Sequence, residues 1–138
     1  MSTDYSIKNA SVKAALAGET PLVEYADDID IVQLVTSFET TERKPVSGNN
    51  SSAIGPLKDN VNVTFADSLA PGEFWLFLRE NHGASIDVEF TPKAGGTAKI
   101  VHTVTATAPG SFGGGQGYNA ATAVLFGEGP ATITAETP

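Results

Sequence analysis

Apolar and polar residues alternate with a period of two along most of this chain, most plainly from Ser85 to Thr134. Ile86, Val88 and Phe90 share one face of a strand, and Asp87 and Glu89 share the other. Beyond a turn at Pro92–Thr97, a strand runs from Ile100 to Ala108. Val101, Thr103, Thr105 and Thr107 lie on one side of it, and His102, Val104 and Ala106 on the other. A connector rich in glycine, Pro109–Gly117, precedes a strand from Tyr118 to Phe126 that is readable on both faces. Gly127–Pro130 then turns into a last strand, Ala131–Ala135.

The first half follows the same rule with two exceptions. Val12–Leu16 and Leu22–Tyr25 read as short strands around the turn Ala17–Pro21. Val32, Leu34 and Phe38 alternate with Gln33, Ser37 and Glu39, which predicts a long strand reaching Thr40 and buried mainly on one side. Val61, Val63 and Phe65 mark another strand. The first exception is a helix over Pro71–Asn81. Pro71 suits its first position, Glu73 the positive end of its dipole and Gly83 its stop. Phe74, Phe77 and Leu78 fall at helical spacing with Trp75 beside them, and serve as core cover for a sheet.

The second exception is residues 41–58, where Pro, Gly, Asn and Ser give loop chemistry throughout. Connections longer than about 12–15 residues are uncommon in compact domains and are usually functional or disordered. Arg43, Lys44 and Lys58 concentrate basic charge there. The whole pattern predicts a single mostly-β domain over 1–138, an antiparallel sandwich or partial barrel with one flanking helix. Residues 1–9 form a polar N-terminal arm.

Composition narrows the function. The chain has 138 residues, 41% of them hydrophobic, which suits one ordered core. Only 17% are charged, as expected of a surface partly covered by neighbours. The formal net charge of −8 disfavours a protein that grips nucleic acid, because such binding rests on Lys and Arg contacts to phosphate. Absence of cysteine removes disulfides and thiolate metal sites. No apolar run approaches the roughly 20 residues of a membrane span. No secretory signal is visible at Met1–Tyr5, so synthesis in the cytoplasm is the expectation.

Catalytic chemistry finds little support. His82 sits at the predicted helix end as a favourable cation near its C-terminus, and His102 reads as a sheet-surface or interface residue. Neither accompanies a recognisable nucleophile. Gly113–Gly117 lacks the Lys-Ser/Thr ending of a phosphate loop and precedes a strand, not a helix. Asp27, Asp28 and Asp30 cluster, with Asp28 and Asp30 on the same side by alternation. Close carboxylates can hold a cation or act as an acid/base pair. A solvated or pore-facing strand edge is the more economical reading. The expectation is a non-enzyme without catalytic residues, cofactor or metal.

The order of segments adds a resemblance. A strand leads to a long loop ending in Leu57-Lys58-Asp59, then to Val61–Phe65, the helix, and Val88-Glu-Phe-Thr-Pro92. A Thr/Val strand ending at Pro109-Gly110 and a Gly-rich connector follow, then Ala120–Leu125 and Gly129–Thr134. This resembles the major tail (tail tube) proteins of long-tailed phages, especially those of actinobacteria, over roughly residues 10–135. Ser6–Val12 is also similar to the opening of such proteins. The acidic Asp27–Asp30 segment and the Asn-rich loop are less typical of them.

The resemblance implies a two-sheet sandwich flanked by a helix, six copies to a ring, and rings stacked into a hollow tube that DNA traverses. It implies a loop that reaches the adjacent ring, here 41–58 with Arg43, Lys44, Asn49, Asn50, Ile54 and Lys58, and a second contact through arm 1–9. An anionic lumen would keep DNA from adhering; Asp28, Asp30, Asp87 and Glu89 are its candidates by alternation. The implied partners are further copies of the chain and other tail proteins (tape measure, terminator, distal tail), with DNA only as transiting cargo and no membrane. The implied location is the virion. A tail terminator, neck or capsid decoration protein, or a monomeric sandwich binding module, are the alternatives.

Overall fold

The computed structural model describes residues 10–93 and 96–135. The predicted arm at 1–9 lies outside them. In chain order the elements are β1 (Ser11–Leu16), β2 (Val23–Glu24), β3 (Ile29–Ser37), β4 (Thr40–Arg43), β5 (Ser51–Ile54), β6 (Lys58–Ala66), α1 (Phe74–Glu80), β7 (Ser85–Thr91), β8 (Lys99–Thr105), β9 (Ala120–Leu125) and β10 (Thr132–Thr134). All strand pairs are antiparallel.

Among the described residues ten strands make three sheets, ordered β10-β8-β7-β1-β2, β3-β6-β9 and β4-β5. The first two face each other. Ala14, Ile86, Val88 and Val104 meet Val61, Val63, Phe65, Ala121 and Leu125 in one buried cluster. This is the predicted alternation made physical, since each strand hides every second side chain. A single bridge between Thr105 and Phe126 joins the two sheets along one side. The opposite side, between β2 and β3, is unpaired among the described residues, so no closed barrel forms.

The helix seals one end of the sandwich. Phe74 packs edge-on against Phe65, with centroids 5.1 Å apart and planes at 83°, and lies 5.1 Å from Tyr25. Phe74, Trp75 and Leu78 are buried, while Phe77 is half-buried against the cluster. The element is shorter than the sequence predicts. Pro71 and Gly72 form a turn, with Gly72 at φ +83°, and the helix opens at Phe74 because the Asp28 carboxylate accepts its N–H at 3.2 Å.

Residues 41–58 are not a featureless loop. β4 and β5 pair from Thr40↔Ile54 to Arg43↔Ser51 and continue the β3–β6 ladder beyond a break at residues 38–39 and 55–57. The Gly48 N–H donates to the Pro45 carbonyl at 3.0 Å and closes the tip, with Gly48 at φ +85°. Main-chain bonds drive this pairing. The side chains are exposed on both faces and polar except for Ala53 and Ile54, so no alternation announced it.

Two smaller readings also change, and a third gains a contact. The β3 ladder has a register irregularity between Ile29 and Ile31, so Asp28 and Asp30 are not placed on one side by alternation. Asp28 precedes the strand in a turn. His102 is buried and is not a surface residue, because its strand face points inward with Val104 and Ala106. His82 accepts the Ala108 N–H on Nδ1 at 2.8 Å, a contact with the segment after β8 that its place near the helix end did not announce.

Candidate functional site

The sandwich has two differently built ends, set by the direction of β3. At its C-terminal end the hairpin β4–β5 leaves the body. Every residue of both hairpin strands is exposed, and so is Val46 at the tip. Of the residues expected in an inter-ring loop, Arg43, Lys44, Asn49 and Asn50 gather at the tip. Ile54 pairs with Thr40 at the root, and Lys58 stands opposite Ser37 in the sheet below. The ion pair of Lys44 with Glu42 at 3.8 Å is exposed on both sides, so it does little to fix the tip.

Beneath the hairpin root, Asp59 is only 4% exposed, and all of its polar atoms are bonded. Its N–H donates to the Gly129 carbonyl at 3.1 Å, and its carbonyl accepts from His102 Nε2 at 2.8 Å. Its carboxylate accepts the Thr36 hydroxyl at 2.6 Å and the Ala131 N–H at 2.8 Å. The Thr36 bond first, then the Ala131 N–H, hold its pKa below the ordinary aspartate value; burial opposes them and nearby His102 assists. Gly127 completes the arrangement, since a Cβ there would sit 2.0 Å from His102 Nε2 and 2.2 Å from the Asp59 carbonyl oxygen. This latch ties β3, β6 and β8 to the segment entering β10. It offers no nucleophile. Sequence reading passed over Asp59 and Gly127; the available signal was that His102 shares a face with Val104 and Ala106.

The other end is acidic. Asp28 caps α1, and its carboxylate shares a hydrogen bond with Glu73. That bond, followed by the charge of Asp28, raises the Glu73 pKa. Asp28 also adds to the burial that raises the Tyr25 hydroxyl. Asp30 accepts the Tyr118 hydroxyl, a bond that leads the causes raising the tyrosine pKa. Among the described residues no Lys or Arg pairs with Asp27, Asp28 or Glu73. Beside them opens a groove of about 580 Å³ along the free edge of β3, with Val12, Ile29, Ile31 and Val32 lining it together with Asp27, Asp30 and Gln33.

The acids expected to face a lumen therefore fall in two regions. Asp28 and Asp30 belong to the helix end. Asp87 and Glu89 stand on the outer face of the five-stranded sheet, where Asp87 accepts from Thr103 Oγ1 at 2.7 Å and from the Gly18 N–H at 3.2 Å. Glu89 lies opposite Lys13, and Lys13 opposite Glu24, so that face is charged with both signs. The outer face of the three-stranded sheet differs. Register places Ile31, Gln33 and Val35 beside Thr64, Asn62 and Asn60, and Thr64 and Asn62 beside Thr122 and Val124 across β6–β9, with no charge among them.

The Gly-rich connector is pinned instead of loose. The Trp75 indole donates to the Ser111 carbonyl at 3.0 Å, and the Phe112 ring meets Trp75 edge-on. The Gly113 N–H donates to Asp67 at 2.8 Å. Within the described residues, no group of three or more His, Cys, Asp and Glu side chains is arranged to hold a metal ion, and no helix is long and apolar enough to cross a membrane. A scan against models of known protein families finds no match, and neither does a comparison with curated proteins.

Proposed function

We propose that this protein is a structural subunit that completes its surface by assembling with copies of itself, as the tail tube protein of a long-tailed phage does. In this reading six copies form a ring, rings stack into a hollow tube in the virion, and DNA passes through it. The protein is made in the host cytoplasm, and its other partners are tail components at the two ends and inside the tube. The observation that carries the reading is the β4–β5 hairpin, whose strands are solvent-exposed throughout. A two-stranded hairpin is marginal alone in water, so one that stands off the body calls for a partner surface.

Two further features support it. β3 is an edge of its sheet, unpaired among the described residues, and such an edge is an aggregation hazard in a monomer but a joint in a ring. The outer face of that sheet carries no charge from Ile31 to Val35 and across to Thr122 and Val124, with Lys58 at its hairpin border, and this matches the depletion of charge at interface cores. Asp87 and Glu89, on the charged outer sheet face, remain available to a lumen. The reading assigns no catalytic step and no cofactor.

Negative-stain microscopy of the concentrated protein tests it. Uniform hollow tubes are expected. Closed rings without tubes would move the assignment to a terminator, neck or decoration protein, and a monomer at all concentrations would end it. Replacing residues 41–53 by an Asn-Gly turn should leave the melting temperature within about 2 °C, because the hairpin strands bury little. It should abolish stacking; normal tubes from that variant would remove the hairpin from the contact.

A further inference from the structure

We infer that the groove beside the free edge of β3 receives the hairpin tip of a second copy of this chain. The inference rests on the self-assembly reading and adds the receptor to it.

The first argument is complementarity. The tip presents wholly exposed Val46 next to Arg43 and Lys44. The groove presents an apolar lining of Val12, Ile29, Ile31 and Val32, with the carboxylates of Asp27 and Asp30 beside it. An apolar anchor flanked by cations meets an apolar slot flanked by anions. Hot spots of this kind exclude water around a central contact while the charges fix orientation.

The second argument is charge balance. The hairpin carries Arg43 and Lys44 against Glu42 alone, in a chain of net charge −8. At the groove end Asp27, Asp28 and Glu73 lie close together with no Lys or Arg paired to them among the described residues, and like charges so placed repel. A cationic partner relieves that repulsion, and the tip supplies one.

The third argument is placement. The hairpin leaves from the end of β3 at Ser37, and the groove is lined by the start of the same strand, residues 29–33. Nine residues of strand span about 30 Å at roughly 3.3 Å each. Donor and receptor therefore lie at opposite ends of each copy. Contacts of that kind are head-to-tail, and where the rotation between copies does not close a ring they repeat along an axis, as a stack requires. The free edge of β3 adds main-chain donors and acceptors to the seat.

Charge exchange tests the contact. R43E/K44E and D27K/Q33K alter exposed side chains, and circular dichroism with a thermal melt checks that both variants fold. Each is expected to lose at least about tenfold of its sedimentable assembly. The combined variant, with the signs exchanged, should recover most of it. A second readout uses the absence of cysteine. V46C/I31C should form an oxidised ladder of covalent multimers on a non-reducing gel, whereas V46C alone should stop at dimers. Wild-type assembly with unimpaired D27K/Q33K and no ladder would overturn the receptor and leave self-assembly standing. Loss of assembly on deleting residues 1–9, with D27K/Q33K intact, would give the groove to that segment, which joins the wall at Ala10, and would overturn the inference as well. A wild-type protein that never associates would overturn both proposals.

Discussion

At the hairpin end of the sandwich, Asp59 has a partner for its N–H, its carbonyl and both carboxylate oxygens. At the helix end, Asp28 and Glu73 share one hydrogen bond in the company of Asp27, with no cation paired to them among the described residues. Asp59 has its pKa lowered, by the Thr36 bond first, and Glu73 has its own raised, by the bond to Asp28 first. The difference lies in what each end must do. A hairpin that projects into solvent needs a rigid root, and the latch supplies it with directed bonds. The helix end is held by apolar contact instead, through Tyr25, Phe65 and Phe74, and tolerates unbalanced charge at its surface.

Breaking the helix end should have the largest effect. Phe74→Ala removes a buried ring at the centre of the aromatic group and should cost about 3–5 kcal/mol, read from denaturant unfolding. A loss under about 1 kcal/mol would mean that polar contacts hold this end too.

Next comes the hairpin end. Gly127→Ala forces a methyl against backbone and imidazole and should cost about 1–3 kcal/mol. Its fingerprint is local. Amide exchange should quicken at Ala131, whose N–H bonds Asp59, and stay slow in α1.

Asp59→Asn should follow at about 1–2 kcal/mol, since Thr36 and Ala131 donate to separate oxygens and the amide turns an NH2 donor toward one of them. Its pH signature is specific. The folded pKa is depressed, so the stabilisation is complete above the ordinary aspartate value of about 3.9 and is lost as pH falls through the lower folded value. The Asn variant should lack that acid loss. An unchanged acid limb would show that Asp59 contributes nothing to it.

The smallest effect has the opposite sign. Glu73 binds its proton more tightly in the folded chain, so its contribution declines as pH rises from the ordinary glutamate value of about 4.3 through the raised one. Glu73→Gln keeps a donor for Asp28 and should raise the melting temperature slightly at neutral pH. Added salt should shrink the gain, because it screens the repulsion that the substitution removes. A destabilised Gln variant would contradict the repulsion.

Much of the architecture was legible in the alternation. The inward faces of β6, β7 and β8 follow from Val61-Val63-Phe65, Ile86-Val88-Phe90 and His102-Val104-Ala106, because burial selects side chains one by one along a strand. The helix aromatics were legible for the same reason. The hairpin strands were not, since Thr40–Arg43 and Ser51–Ile54 pair through main-chain groups that every residue carries. The latch was hidden as well: His102 and Asp59 are 43 residues apart, and neither belongs to a recognisable motif.

By its sequence alone the chain determined which side chains turn inward, where glycine and proline interrupt the strands, and that a single helix covers the core. Those are local properties, set by the period of the backbone and the transfer of apolar groups out of water. Tertiary structure decided where the helix begins, because its first N–H is capped by Asp28 from 46 residues away. It also decided that the four candidate lumen acids do not share one surface, and that the basic tip and the acidic groove lie at opposite ends of one strand. Such facts depend on which distant segments meet, and neither residue type nor spacing encodes that meeting until the chain closes on itself.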